Sequence, residues 1–584
     1  MSDCMHPIEE TQADPGTPPG GVPVPGRLLL ALCAATVVLG GVHAWIGRHQ
    51  MNPDGICYLD MGEAYMRCDW KMAVNAHWSP LYAWVVGLTL RILTPSPSWE
   101  FPTVHLVNFL VFLGALGSFS LFLCELLRFR RDRILRSSPG QAGGLPDWAL
   151  PALGYALFLW CSLPLMLVSP DMSIGALVYL ACAILVRIRN GWSGWRSFAL
   201  LGLVLGLAYL AKAPMFVLAF VFLGCAFFLV GDVRRAAFRV LSGLGVFLLV
   251  GGPFAVVLSV TKGRPTFGDS GRLNYAWKVN GVPEYVHWQG GPPGCGTPVH
   301  PTRKLLDMPA LYEFATPIGG TYPAWYDPSY WHEGLTLRFD PRPQVRALAA
   351  GAQQYFHFFY HWQGGLIAGV LALYLMGFQR RSTVRFLLAH WFLFVPALAA
   401  LGMYALVFVS LRYVAPFMLI LWAGLLSGVR LPDNDQLRKP VTCVCAAMLA
   451  MLVIAIGVAM TGRGGDLATA GGNARAQGPA AWRIADALGQ MGVRRGAKVG
   501  FIGDSFTAYW ARLARVQITA EIPAIRGGAE VFRAAYPLVL DRVVEAFTKA
   551  GVDIIVAEKL PDDFSRPGWR RIGNTDHFVY FVRR

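Results

Sequence analysis

Apolar and polar residues follow one another along this chain in long blocks. Apolar runs close to the roughly 20 residues needed to cross a hydrocarbon core fall near 28–47, 103–127, 148–168, 172–188, 196–211, 214–230, 239–260, 361–378, 386–409, 413–429 and 440–460. They predict a polytopic α-helical membrane protein with about 11 spans. The stretch from 197 to 230 is nearly unbroken, and as one helix it would be about 50 Å long, far beyond a bilayer. The interruption "AKAP" at 211–214 is therefore read as a turn. Pro214 removes a backbone donor and disfavours helix at Ala213, and Lys212 is costly in lipid, which puts this hairpin at the outer surface.

Composition agrees: 55% of the 584 residues are hydrophobic and 15% charged, and mean hydropathy is +0.44. The net charge of +16 raises nucleic acid as a partner. The basic residues, however, sit in short clusters beside apolar runs, "RFRRDR", "RIRNGWSGWR", "DVRRAAFR" and "QRRSTVR", the pattern of cytoplasmic loops, and no nucleic-acid partner is expected. An odd number of spans with these clusters inside predicts an inner-membrane protein with its N-terminus cytoplasmic and its C-terminus periplasmic. Residues 1–27, polar and rich in Pro and Gly, read as a disordered cytoplasmic tail.

The outer face then collects a loop at 48–102, the corner "VSPDMS" at 168–173, the "AKAP" turn, a loop at 261–360 and everything after 460. Residues 28–460 form the transmembrane domain, 461–478 a Gly-rich linker, and 479–584 a small α/β domain. In that domain "KVGFIGD", "VQITAEI", "VDIIVAEK" and "HFVYFVR" read as strands, with helical stretches at 479–491 and 528–550. Most cysteines fall in apolar runs as small hydrophobes. Cys57 and Cys68 share the first outer loop and are candidates for a disulfide, which two cysteines alone do not establish.

The first outer loop carries the unusual chemistry: "RHQMNPDGICYLDMGEAYMRCDWKMAVNAHWSPLYAW", residues 48–84. Its Gly55 to Met66 segment predicts a short amphipathic helix on the membrane, with Ile56, Leu59 and Tyr65 toward lipid. Asp54 stands at the N-terminal end of that helix, where a simple N-cap is one reading. Asp54 with Tyr58, followed by "HWSPLY" at 77–82, resembles the first outer loop of type C (GT-C) glycosyltransferases. The nearest pattern is that of bacterial members similar to protein O-mannosyltransferases and lipid A aminoarabinose transferases. The resemblance covers roughly 28–460 in topology, with short motifs.

The resemblance implies an enzyme that moves a sugar, with inversion, from a polyprenyl-phosphate donor to a lipid, glycan or protein acceptor. It puts the catalytic base on Asp54 and the matching turn on His77 and Pro80-Leu81. An acceptor hydroxyl must lose its proton as it bonds to the anomeric carbon, which a carboxylate can take. The phosphate leaving group needs cations. "RYVAP" resembles the Arg-Tyr-x-x-Pro signature beside the carrier phosphate, implying phosphate binding by Arg412 and Tyr413, with Lys212 on the same face. Arg412 also reads as a snorkelling cation and Lys212 as an ordinary interfacial lysine. Lys262, Arg264 and Arg272 are weaker candidates. Asp171 in "SPDM" matches a Pro-Asp at the second outer corner that orients the acceptor or the first loop, or caps the next span. Trp325, Tyr326 and Asp327 in "GGTYPAWYDPSYWHEG" suit a sugar ring beside a carboxylate, or an interfacial aromatic belt. Where the family often has two adjacent acids, this chain has Asp54-Gly55. A divalent metal cofactor stays open but is not favoured.

Two rival functions fit parts of this pattern. A secondary transporter fits the helix count, but there is no inverted repeat, few charges lie within spans, and the outer loops are large. "FIGDSFT" at 501–507 resembles a Gly-Asp-Ser esterase block with Ser505 as nucleophile, and "TDHF" offers Asp576 and His577. That class uses Asp-x-x-His spacing and a larger domain.

Overall fold

The computed structural model describes residues 26–136, 144–284, 287–314, 317–361, 363–377, 380–432, 434–461, 472–560, 564 and 566–582. Residues 1–25 of the N-terminal tail and most of the 461–478 linker lie outside the described residues.

Each of the predicted apolar runs contains a helix. Among the described residues five helices are long and apolar enough to cross a membrane: Gly26–Ile46, Pro97–Ile134, Asp171–Arg189, Val233–Lys262 and Asp435–Thr461. Shorter apolar helices pack among them, including Ala149–Ser162, Trp195–Ala211, Met215–Phe228, Trp391–Ala405 and Leu411–Ser427. The chain is a multi-pass membrane protein. The "AKAP" break is a turn: the helix Trp195–Ala211 ends in extended backbone at Lys212, and Met215–Phe228 follows Pro214. Helices Trp195–Ala211 and Val233–Lys262 meet backbone to backbone, since a Cβ on Gly202 would lie 2.0 Å from the Gly243 carbonyl oxygen. Small residues permit such close approach where lipid offers no hydrophobic driving force.

The first outer loop differs from its sequence reading in three ways. It contains a further apolar helix, Pro80–Leu93, whose 14 residues are shorter than a spanning window. The helix Pro53–Met66 forms, but Ile56 and Leu59 are buried in protein, not laid on lipid. Its Gly62 sits 2.6 Å, by an ideal Cβ, from the carbonyl of Ala83, so Pro80–Leu93 covers it directly. Finally, Cys57 and Cys68 are both free, because Cys57 is buried with its Sγ toward the Trp325 carbonyl while Cys68 is exposed.

The C-terminal sheet has seven strands in the order β1-β2-β4-β3-β5-β7-β6. These are β1 (Arg303–Asp307), β2 (Ala310–Glu313), β3 (Lys498–Gly503), β4 (Gln517–Pro523), β5 (Ile554–Glu558), β6 (Trp569–Arg571) and β7 (His577–Phe581). The four predicted strands are β3, β4, β5 and β7, with β3 parallel to both β4 and β5. The β1–β2 hairpin comes from the 261–360 loop and pairs with β4 through Tyr312↔Glu521 and Glu313↔Ala520. Loop and tail therefore share one sheet, which covers an edge that β4 would otherwise expose. The predicted helix at 528–550 is split into Gly528–Ala535 and Leu540–Lys549, where Pro537 removes a backbone donor.

Candidate active site

Four helix ends converge at one end of the bundle. Pro53 opens its helix at N1 after Asn52, and Asn52 Oδ1 accepts from the Val168 N–H, tying this end to the 168–173 corner. Asp54 stands in the first turn, where the helix dipole favours a carboxylate. It is not the N-cap, a position held by Asn52. The Asp54 carboxylate accepts from Arg412 Nη2 at 3.0 Å and from Trp325 Nε1 at 3.4 Å.

Arg412 is the second residue of its helix, Leu411–Ser427, and its Nε lies 3.8 Å from Asp171 Oδ2. Asp171 opens Asp171–Arg189, is 3% exposed, and accepts from Lys212 Nζ at 2.5 Å and Ser169 Oγ at 3.0 Å. The order Asp54, Arg412, Asp171, Lys212 alternates in sign. Tyr413 joins it: its hydroxyl accepts from Arg412 Nη2 at 2.9 Å, and Lys212 Nζ sits 3.7 Å from its ring centroid. Asp54, Arg412 and Lys212 stay 17%, 25% and 22% exposed, so a ligand can reach all three.

Aromatic rings wall the side next to Asp54. Trp325 and Trp277 stack with centroids 5.9 Å apart, and His77 lies against Trp78, Trp277 and Trp325 at 4.3, 5.6 and 6.0 Å. The His77 Nδ1 is buried without a hydrogen-bond partner among the described residues. Tyr58 is buried edge-on to Trp78 and Tyr82. Burial, with the nearby Asp54 charge, pushes its hydroxyl well above the usual range, so it stays protonated.

Burial pushes His77 down to about 4, partly opposed by Asp54, and burial lowers His332 as well. The unfolded chain takes up these protons near 6.5, the folded chain only at lower pH. It follows that this stability is complete above about 6.5 and is lost as pH falls toward about 4. Thermal unfolding of the wild type and His77→Phe across that window should show a shallower acid slope for the variant. Identical slopes would remove His77 as a cause.

Other sequence candidates lie apart from this group. Asp327 caps the short helix Pro328–Trp331 and accepts from Ser329 and Tyr330. Tyr326 is structural: its hydroxyl donates to the Met72 carbonyl at 2.6 Å, and its own carbonyl accepts from Asn75 and Trp78. Arg264 is held by Asp269 at 2.6 and 2.7 Å, and Arg272 donates to the Leu335 carbonyl. Ser505 donates to Glu521, whose other oxygen accepts from Tyr322 and His287 at 2.6 and 2.9 Å. His577 is bonded instead to Asp576, so the sequence-read esterase residues make no Ser-to-His bond.

The sequence reading missed a buried ion cluster behind the site. Arg512, 5% exposed, donates to Glu100 at 2.9 Å and to both Asp60 and Glu63 at 2.7 Å, while Arg515 reaches Glu100 at 2.5 Å. Asp60 also accepts from the Thr321 N–H at 2.6 Å, close in sequence to Trp325. Three acids within 48–102 and two arginines after 500 were the only signal, and nothing local pairs them. Among the described residues no group of three His, Cys, Asp or Glu could hold a metal ion.

No family model matches the sequence, and no curated protein matches it. Among solved structures the chain is similar to ArnT from Cupriavidus metallidurans in the apo state, with a TM-score of 0.51 and 13% identity over 95% of this chain and 97% of that one. The same enzyme bound to undecaprenyl phosphate matches equally, at a TM-score of 0.51 and 13% identity over 95% and 98%. The Archaeoglobus fulgidus oligosaccharyltransferase scores 0.46 at 12% identity, over 91% of this chain and 68% of that one. The chain has a GT-C-like fold, that of ArnT.

Proposed function

We propose that this protein is a membrane glycosyltransferase that moves a monosaccharide from a polyprenyl-phosphate donor to an acceptor on the outer side of the membrane. The observation that carries the reading is the partly exposed Asp54 carboxylate, 3.0 Å from Arg412 and flanked by Trp325, in reach of the Lys212 and Tyr413 pair. The ArnT fold, found bound to undecaprenyl phosphate, supports a lipid-phosphate donor. Three placements complete the proposal: an inner membrane, an N-terminus on the cytoplasmic side, and a periplasmic C-terminal domain.

Asp54 accepts the proton of the acceptor hydroxyl as its oxygen bonds to the anomeric carbon. The bond from that carbon to the phosphate oxygen breaks on the opposite face, giving inversion. Its electrons stay on the polyprenyl phosphate, where Arg412, Lys212 and the Tyr413 hydroxyl stabilise the added charge. Asp171 holds both cations in place. His77 and Trp325 pack against each other as the wall beside the carboxylate, and the Trp325 Nε1–H orients Asp54. The carboxylates of Asp54 and Asp171 face a guanidinium and an ammonium group, which supports a reaction without metal.

The test is sugar transfer by the purified full-length protein in detergent, with a panel of polyprenyl-phosphate monosaccharides and a membrane extract as acceptor. Transfer is expected in the wild type and equally in Ser505→Ala. Failure with every donor, or an ester hydrolysis abolished by Ser505→Ala, would overturn the reading.

A further inference from the structure

The bundle end opposite Asp54 holds an open cavity of about 620 Å³, lined by Arg133, Arg189, Arg385, Val384, Leu388 and Trp391 among others. The direction of the chain places it there. The helix Asp171–Arg189 starts at the candidate site and ends at Arg189, while Trp391–Ala405 starts at the cavity and runs back toward the site end. Three arginines bring their charge to one hollow, and among the described residues no acidic side chain lines it. The nearby acid, Glu125, is engaged by Arg128 at 3.1 Å and Arg187 at 2.9 Å, and Asp132 is exposed elsewhere on its helix. Arg133 is held in position between two rings, its guanidinium carbon 5.7 Å from the Phe129 centroid and 5.6 Å from that of Phe386.

The same hollow is apolar on its other wall. Val384 and Leu388 are 48% and 61% exposed, and Trp391 stands beside them. A free anion would use the arginines and leave these side chains in water. An amphiphile would use both, and the helix ends put the cavity at the height of a membrane surface, where each basic residue attracts anionic lipid. The volume falls within the range of small-ligand sites, enough for a headgroup and the first methylenes of its chains.

We propose that this cavity binds the phosphodiester headgroup of an anionic phospholipid. The arginines take the phosphate as planar donor forks, and Val384, Leu388 and Trp391 take the start of the acyl chains. Occupation bridges the helices that carry Arg133, Arg189, Arg385 and Trp391, so it stabilises the bundle from the end that the donor does not touch.

The test uses the full chain in detergent or nanodiscs, with phosphatidylglycerol and phosphatidylcholine as probes. Phosphatidylglycerol is expected to raise Tm and to stay bound in native mass spectrometry, and phosphatidylcholine to do neither. Arg189→Gln with Arg385→Gln, both surface positions, should weaken phosphatidylglycerol binding roughly 30-fold with Tm in phosphatidylcholine unchanged. Asp54→Asn should keep it, which separates this site from the transfer reaction. Equal protection by both lipids, full protection by inorganic phosphate alone, or retained selectivity in the double variant would overturn the proposal.

Discussion

Replacing Asp54 by Asn is expected to lower the rate of sugar transfer by about 10²–10⁴-fold, the range lost when a positioned general base is removed, while KM for the donor stays level or falls. The two effects separate because the carboxylate does two things. It accepts the hydroxyl proton in the transition state, which an amide cannot do. It also engages Arg412 at 3.0 Å, and Asn ends that charge pairing, leaving the guanidinium more available to the donor phosphate. Asn keeps the shape and one acceptor for Trp325 Nε1, and the site is partly exposed, so the fold should survive. Steady-state rates with a fixed acceptor and varied donor make the test. A variant with unchanged kcat would move the base to another residue. A variant whose kcat holds while KM rises would make Asp54 a binding group instead.

The second large effect is expected far from the chemistry. Arg512→Ala should destabilise the protein by about 3–5 kcal/mol, the range for breaking one side of a buried ion pair. Without Arg512, the buried Glu100 and the half-buried Glu63 keep Arg515, Glu63 also keeps the exposed Arg67, and the buried Asp60 loses the arginine it pairs with. Burial already raises the Asp60 carboxyl against the pull of Arg512, so removing the arginine pushes that group further toward its neutral form. The defect should accordingly shrink as pH falls and the Asp60 carboxyl takes up its proton. Asp60 lies on the same 14-residue helix as Asp54 and anchors Thr321, so transfer should fall together with stability. Thermal unfolding and limited proteolysis across pH would read this, with Arg512→Lys as the partial rescue. Wild-type Tm and resistance in Arg512→Ala would mean that the C-terminal domain is held by its β2–β4 pairing and apolar contacts alone.

Much of the candidate site could be read from local signals. Asp171, Lys212 and Arg412 each sit where an apolar run begins or ends, marked by Ser169-Pro170, Pro214 and Ser410, and Asp54 follows the helix-start signal Asn52-Pro53 a few residues past the first run. Because a bilayer puts such ends at only two levels, four charged residues at ends on one side are already confined to a thin slab. Asp327 and Tyr326 show how a local motif can be engaged in its own fold. Their motif looks like a sugar platform, but short-range turns consume their polar groups: Ser329 and Tyr330 bind the Asp327 carboxylate, and Met72 binds the Tyr326 hydroxyl.

What the sequence by itself determined is the set of apolar helices, the Lys212 turn, the strands β3, β4, β5 and β7, and the short list of ionisable groups near helix ends. Hydrophobic length and backbone-breaking residues act within a few positions of one another, so they are written locally. Only the tertiary structure decided that the Pro53–Met66 helix is buried under Pro80–Leu93, that β1 and β2 complete the tail's sheet, that Trp277 joins Trp325 beside His77, and that Arg512 reaches Asp60 across 452 positions. Those pairings depend on which surfaces meet once the helices pack, and a contact between distant segments leaves no periodic imprint on either of them.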